Sequence, residues 1–124
     1  MEQRVLVVDN DEDHRKVVVE IVERHFPTLT AASGEEAMQI LEAEKALHAV
    51  LSDFKMHLLT GADVLQKTRQ AHPKAHRALM SSKIGDVKGF EQLVKAACDP
   101  HVLLPKPLTL ERLRTVLQSW KELS

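Results

Sequence analysis

Residues 4–11 read Arg-Val-Leu-Val-Val-Asp-Asn-Asp, an apolar run followed at once by polar residues. Such a run suits a strand that is buried on both faces, and the polar side chains would then lie at its carboxyl end. Three later stretches repeat the arrangement, with apolar runs directly before Asp53, Ser81-Ser82 and Lys106-Pro107. Because ligands bind beyond the carboxyl ends of parallel strands, the sequence predicts a site at that edge of a sheet.

Strand-like and helix-like patterns alternate five times along the chain, which is typical of a doubly wound α/β fold. Apolar runs predict strands over residues 4–8, 48–52, 77–80 and 101–105, and residues 28–32 carry a weaker signal for a second strand. Helices are expected over about 13–25, after a capping box of Ser33 and Glu36, after Gly61, around Phe90, Leu93, Val94 and Ala97, and after Thr109 with Leu110 on its core side. We therefore expect a single domain over residues 1–124.

Composition excludes several classes of protein. Lys and Arg number 17 against 18 Asp and Glu, so no basic footprint for nucleic acid or an anionic membrane is present. Cys98 is the only cysteine, which rules out an internal disulfide and favours a reducing compartment; we expect it to be a small buried residue. No apolar run approaches the roughly 18 residues of a membrane span. The sequence predicts a cytoplasmic protein without membrane insertion or direct nucleic-acid binding.

The residues at the predicted strand ends suit phosphoryl transfer. Asp9 and Asp53 would repel each other unless a cation lay between them, and carboxylate oxygens select a hard cation such as Mg²⁺. An aspartate can itself accept a phosphoryl group, whose charge a hydroxyl of Ser81 or Ser82 and the ammonium of Lys106 would meet. Each residue alone is as readily a strand-end cap, a turn former or a solvated lysine. Their joint position at four strand ends favours a functional site.

The chain resembles the receiver domain of two-component response regulators. The resemblance is carried by four segments in combination: residues 5–12, 53–57 leading to Gly61, 79–82 and 104–108. The resemblance covers essentially the whole length. It implies a flavodoxin-like five-stranded parallel sheet in the order 2-1-3-4-5 with five helices. The chain is thus identified as similar to a signalling domain that is not an enzyme beyond transferring and hydrolysing its own phosphoryl group.

The resemblance also assigns roles to individual residues. It implies that Asp53 is the phosphoacceptor, that Ser81 is the switch hydroxyl, and that Lys106 contacts the phosphoryl group and precedes a cis bond to Pro107. Mg²⁺ would be held by the side chains of Asp9, Asn10 and Asp53 and by the backbone carbonyl of Lys55. The donor would be a histidine kinase or a phosphotransfer protein. The output would be a downstream protein target or an output domain, through the surface of the fourth helix, fifth strand and fifth helix; homodimer formation is left open.

Three departures from the family pattern limit what the resemblance carries over. Asn10 stands where the family usually has a metal-binding carboxylate, so we expect Mg²⁺ to bind weakly. Compensation by the Asp11 carboxylate is a less favoured alternative, because adjacent residues point in different directions. Leu103 replaces the Tyr or Phe that is often coupled to the switch hydroxyl, so a rotating aromatic ring cannot be the output signal. His57 replaces a proline after the phosphoacceptor.

Alternatives remain open at this point. Counting back from Gly85-Asp86 places the switch hydroxyl at Ser82, whereas counting from the strand favours Ser81. The chain could also be a pseudo-receiver, a protein-interaction module in which Asn10 marks weakened or lost metal binding and phosphorylation. A phosphohydrolase is disfavoured because Lys55 stands where a general acid would be required. The other histidines are scattered, which disfavours a zinc site.

Overall fold

The structure, a computed structural model, describes residues 3–122. Five parallel strands form one sheet in the order β2-β1-β3-β4-β5: β1 (Val5–Val8), β2 (Thr28–Ala31), β3 (Ala49–Asp53), β4 (His76–Ser81) and β5 (Val102–Pro105). Helices follow the strands in turn: α1 (Glu12–Glu23), α2 (Gly34–Ala43), α3 (Gly61–Ala71), α4 (Phe90–Cys98) and α5 (Leu110–Glu122). The predicted fold class, strand order and number of helices are confirmed.

Strand β1 lies at the centre of the core, as its apolar sequence predicts. It pairs with β2 on one side and with β3 on the other, and all of its side chains are buried. Successive side chains point to opposite faces, so Val5 and Val7 pack in one hydrophobic cluster and Leu6 and Val8 in the other. Because both faces of β1 are buried, the polar residues that follow it lie beyond its carboxyl end.

Two strands extend further toward that edge than the sequence predicts. Asp53 is the last residue of β3, and Ser81 is the last residue of β4. Both therefore pair within the sheet, with Asp53 opposite Met80 and Ser81 opposite Pro105. The ladder holds the backbone of these two residues in place, so their side chains have defined positions at the sheet edge.

Only some of the apolar residues that marked the fourth predicted helix are buried in α4. Leu93 is 72% exposed and Ala97 is also exposed, whereas Phe90, Val94 and Cys98 are buried. Buried positions at a spacing of four residues follow one stripe of the helix, and Leu93 and Ala97 lie beside that stripe. Cys98 is a small buried residue, as expected. The prediction that Leu110 lies on the core side of α5 is wrong, because this residue is 43% exposed.

The helix caps follow the sequence with one exception. Ser33 accepts from the backbone N–H of Glu36 (3.1 Å), and Thr109 accepts from that of Arg112 (3.2 Å). The predicted reciprocal contact of the capping box is different, because the Glu36 carboxylate accepts from the N–H of Ala32 (3.2 Å) instead of Ser33. The side chain thus satisfies a donor one residue earlier, at the end of β2.

A row of aromatic rings crosses the opposite edge of the sheet, at the amino ends of the strands. His48 lies 5.1 Å from His76 and His76 lies 6.0 Å from His101, measured between ring centroids. Trp120 of α5 stacks on His76 at 5.9 Å and 18° and is buried, and its carbonyl contacts His48 Nε2 at 2.9 Å. The row attaches the last turns of α5 to three neighbouring strands.

Across residues 3–122, no helix has the length and apolar character that a membrane span needs.

Candidate functional site

The four strand ends meet around one open cavity of about 600 Å³ at the carboxyl edge of the sheet. Its lining includes Asp53 and Ser81, the last residues of β3 and β4, and Lys106, which directly follows β5. The remaining lining residues are Asn10, Asp11, Lys55, Met56, His57, Ser82 and Lys83. Asp9, which directly follows β1, has no exposed surface. The structure thus brings together the residues that the sequence places at this edge.

Asp53 and Lys106 form an ion pair across the cavity. Lys106 Nζ lies 2.7 Å from Asp53 Oδ1, and Asp53 is only 5% exposed. Burial raises the pKa of the Asp53 carboxyl above its ordinary value, the hydrogen bond and charge of Lys106 oppose that rise, and the charge of Asp9 adds to it. The Lys106-Pro107 bond is cis, as the resemblance implies. A buried carboxylate held by one ammonium is a nucleophile with a positive charge already beside it.

The Asp9 carboxylate is engaged on both oxygens. Oδ1 accepts from the backbone N–H of Asp11 (3.0 Å), and Oδ2 makes a close contact with His14 Nδ1. Arg15 Nη1 donates to the Asp9 carbonyl oxygen (2.7 Å). His14 was not among the residues predicted for this site, although its position in the first turn of α1, three residues after the N-cap Asp11, was a usable signal. A cation that approaches Asp9 must share Oδ2 with this imidazole.

The two serines differ in position. Ser81 is buried at the end of β4, and its Oγ accepts from the backbone N–H of Lys83 (3.0 Å). Its carbonyl oxygen accepts from the backbone N–H of Lys106 (3.1 Å), which joins the ends of β4 and β5. Ser82 is exposed. Both line the cavity, so both hydroxyls remain candidates for contact with a bound phosphoryl group, and Ser81 has the more constrained backbone.

The loop after Asp53 passes close to the start of α3. The backbone N–H of Gly61 donates to the Phe54 carbonyl oxygen (2.8 Å). A Cβ at position 61 would lie 2.3 Å from the Asp53 carbonyl oxygen, closer than any ordinary contact. Only glycine permits this approach without displacement of the neighbouring backbone. Gly61 therefore helps to determine where the Asp53 backbone lies.

Lys83 extends over an aromatic ring at the side of the cavity. Its Nζ lies 5.2 Å from the centroid of the Phe54 ring, within the range of a cation–π contact. Phe54 in turn meets Phe90 of α4 edge to face, at 4.9 Å and 89°. Phe54, the residue next to Asp53, thus contacts both Lys83, which follows β4, and Phe90 of α4.

The donor groups at the site fit a Mg²⁺ ion with few protein ligands. Mg²⁺ is commonly held by one or two carboxylates, with waters and substrate oxygens completing its shell. Asp9 and Asp53 supply two carboxylates, and burial together with the charge of Asp9 raises the pKa of Asp53. Asn10 and Lys55 lie on the cavity wall. Within residues 3–122, no group of three or more His, Cys, Asp or Glu side chains is arranged to hold a metal. The oxygen groups of Asp9, Asn10, Asp53 and Lys55 therefore suit a hard cation that keeps several of its waters.

Comparison with known proteins gives a consistent result. The sequence profile of the family described as "Response regulator receiver domain" matches residues 5–118. The 3',5'-cyclic-nucleotide phosphodiesterase regA of Dictyostelium discoideum is 31% identical over 94% of this chain, which covers 15% of that protein. The chemotaxis protein CheY of Halobacterium salinarum is 28% identical over 94% of this chain and 98% of its own length.

A solved structure supports the fold. The receiver domain of the sensor histidine kinase PA1611 from Pseudomonas aeruginosa PAO1, with a magnesium ion coordinated in its active-site cleft, superposes with a TM-score of 0.79. The sequences are 17% identical, and the match covers 97% of this chain and 98% of that one. Relatives thus include chains of similar length and much longer proteins, in which this chain corresponds to a small part.

Proposed function

Because the chain belongs to the response regulator receiver domain family, we propose that it is a phosphorylation-dependent switch in which Asp53 accepts the phosphoryl group. The observation that carries the proposal is the ion pair between Asp53 Oδ1 and Lys106 Nζ at the wall of an open cavity. Receiver domains are signalling domains, and we propose no activity here beyond transfer and hydrolysis of the chain's own phosphoryl group. The donor is a histidine kinase or a phosphotransfer protein, and the output is a separate protein target or an output domain.

The transfer step uses groups that line the cavity. A carboxylate oxygen of Asp53 attacks the phosphorus of a phosphohistidine, the phosphorus–nitrogen bond breaks, and the imidazole of the donor leaves with the bonding electron pair and takes up a proton. Lys106 then pairs with a phosphoryl oxygen instead of the free carboxylate, and the Ser81 hydroxyl, or that of Ser82, donates to another. These contacts form with the transferring group, so they stabilise charge that the donor brings.

A Mg²⁺ ion, when bound, would neutralise charge on the transferring phosphoryl group. Asp9, Asn10, Asp53 and the Lys55 carbonyl are the groups that would hold it. We propose that the ion binds weakly for two reasons. Asn10 contributes no charge, and His14 contacts one oxygen of Asp9.

The same two observations favour one alternative, a pseudo-receiver that acts as a protein-interaction module without phosphorylation. In that case the fold and the Asp53–Lys106 pair serve structure alone. The alternative predicts no chemistry at Asp53 under any Mg²⁺ concentration.

Incubation with Mg²⁺ and acetyl phosphate, followed by intact-mass measurement, tests the proposal. We expect one added phosphate in the parent chain, none in Asp53→Asn, and none in the parent when the divalent ion is removed. Asp11→Asn is the matched control, because Asp11 lines the same cavity and should leave labelling intact. An unlabelled parent at saturating Mg²⁺ supports the pseudo-receiver, and full labelling of Asp53→Asn overturns the assignment of the phosphoacceptor.

A further inference from the structure

We propose that the apolar groove between α3 and α4 binds an acidic amphipathic helix of a partner protein, and that Lys83 couples this binding to phosphorylation. The coupling rests on the proposed function of Asp53, whereas the groove itself does not. The groove has a volume of about 430 Å³ and begins at Phe54, the residue next to Asp53.

The groove has the character of a helix-binding surface. Phe90, Leu93, Val94 and Ala97 of α4 line it, and their spacing presents a continuous apolar stripe. Leu93 is 72% exposed and Val87, also in the lining, is 46% exposed. Apolar side chains grouped in a concave surface, instead of scattered singly, mark an interaction site. An amphipathic helix places its apolar residues in such a groove and its polar residues along the rim.

Charge at the rim identifies the kind of helix. The charged residues that line the groove are Lys83 and Lys88, and neither ammonium forms an ion pair with a carboxylate of residues 3–122. Two carboxylates beside lining residues accept backbone hydrogen bonds: Asp63 from the N–H of Thr60 (2.8 Å), and Glu91 from that of Gly85 (2.9 Å). Asp86, between the two lysines in sequence, forms an ion pair with neither of them. A partner with carboxylates beside its apolar stripe complements this rim, and a basic partner does not.

Lys83 belongs to both cavities. It lines the one over Asp53 and the groove, and its ammonium lies over the Phe54 ring at the groove's end. Its backbone is held by the hydrogen bond to Ser81 Oγ, so the flexible part is the side chain. One ammonium cannot cover Phe54 and pair with a phosphoryl oxygen at Asp53 at the same time. A phosphoryl dianion attracts an ammonium more strongly than an exposed aromatic face does, so phosphorylation should draw Lys83 off the ring.

Release of Lys83 affects binding in two opposite ways. It exposes the face of Phe54 to an apolar side chain of the partner, and it removes one of the two rim ammonium groups. An exposed rim ion pair contributes little, whereas burial of an aromatic face contributes more, so the exposed ring dominates. Phosphorylation should therefore strengthen binding of the acidic helix by several-fold. This device needs no aromatic residue at position 103.

The first experiment follows the rings directly. The chain has three phenylalanines, so incorporation of fluorophenylalanine gives three ¹⁹F resonances, for Phe26, Phe54 and Phe90. With phosphorylation measured by intact mass, we expect the Phe54 resonance to shift and the Phe26 resonance, beside His48 at the far edge, to stay. Lys83→Gln should show a displaced Phe54 resonance before phosphorylation and little further change. Lys88→Gln, which lies in the groove alone, should keep the phosphorylation-dependent shift.

The second experiment measures binding with two synthetic helical peptides that share one leucine stripe and carry either glutamates or lysines beside it. We expect the acidic peptide to bind the parent several-fold more tightly than the basic peptide does. Leu93→Asn should weaken binding of the acidic peptide. Lys83→Gln should bind the acidic peptide at least as tightly as Lys88→Gln does. Equal binding of both peptides, or no effect of Leu93→Asn, overturns the groove. A phosphorylated protein with an unmoved Phe54 resonance overturns the coupling. If no phosphate is added, the proposed function is contradicted instead. The Phe54 resonance of Lys83→Gln, compared with that of the unphosphorylated parent, then still tests whether removal of the ammonium exposes the ring.

Discussion

Replacement of Gly61 by alanine should damage the site while leaving the rest of the fold in place. The new Cβ would lie 2.3 Å from the Asp53 carbonyl oxygen and 2.8 Å from Leu79 Cδ1. The first neighbour is backbone at the end of β3, which cannot rotate away as a flexible side chain does. The start of α3 and the end of β3 must therefore separate by several tenths of an ångström, and the hydrogen bond from Gly61 to Phe54 must lengthen or break.

Two terms set the size of the effect on stability. Overpacking of this kind costs about 1–3 kcal/mol. Gly61 does not have a positive φ, so alanine also recovers roughly 0.4–1 kcal/mol by restricting the unfolded chain. The net loss should be about 1–2 kcal/mol, which for a chain of this size lowers the Tm by roughly 4–10 °C. Phosphorylation of Asp53 by acetyl phosphate should slow by at least about tenfold, since a displacement of this size at a reacting group is costly.

Gly89→Ala is the matched control for this prediction. Gly89 has a φ of +84°, and a methyl group added there would meet no atom within 4 Å, so alanine costs about 1 kcal/mol through backbone strain alone. Thermal melts and phosphorylation rates of both variants separate the two effects. Both should melt lower, and only Gly61→Ala should be slow to label. Equal labelling rates in the two variants, or an unchanged Tm for Gly61→Ala, would refute the reasoning from the close contact.

Three further predictions concern charge at the site. Asn10→Asp should tighten Mg²⁺ binding by about tenfold or more, because a third carboxylate adds on the order of 1–3 kcal/mol of attraction. An unchanged Mg²⁺ titration would contradict this. The free energy of unfolding of Asp53→Asn should rise relative to that of the parent as the pH increases above 3.8. Burial raises the pKa of Asp53 in the folded chain, so the parent loses stability as this carboxyl ionises with rising pH. The amide does not ionise and loses none. Denaturant melts between pH 3 and pH 7 measure this difference, and a constant or shrinking gap would be the wrong sign. The phosphorylated parent should decay more slowly than a Lys55→Ala, Lys83→Ala double variant at equal Mg²⁺, because the two cationic chains crowd the hydrolytic water, and faster decay of the parent would remove the shielding role.

The sheet was predictable because its signal is local. Four of the five strands contain an apolar run, and the polar residues at the ends of those runs carry the candidate chemistry, so proposing Asp53 and Ser81 required no tertiary information. The strand ends were less predictable. Asp53 and Ser81 belong to the ladder because neighbouring strands extend far enough to pair with them, which a single run does not reveal.

Side-chain contacts between elements were the part that the sequence did not show. Leu93 and Phe90 are both apolar and both fit a helical stripe, and only the position of α4 against the sheet decides which one is buried. His14 is one of seven histidines, and its contact with Asp9 depends on the angle at which α1 leaves the end of β1. The contact of Lys83 with Phe54 likewise joins two loops that are distant in sequence.

The row of rings at the amino edge of the sheet holds the last turns of α5, and Leu113 and Leu117 are buried along its middle, so the first turn is the least enclosed part of the helix. Trp120 is stacked on His76 near one end of the helix, while Leu110 at the other end is partly open to solvent and lies a few residues after Lys106. Leu110 lies roughly 15 Å from Trp120 along the helix axis, so each degree of tilt of α5 about Trp120 would move Leu110 by about a quarter of an ångström. If the segment between Lys106 and α5 moved, a tilt of the helix about Trp120 would therefore displace its exposed first turn most.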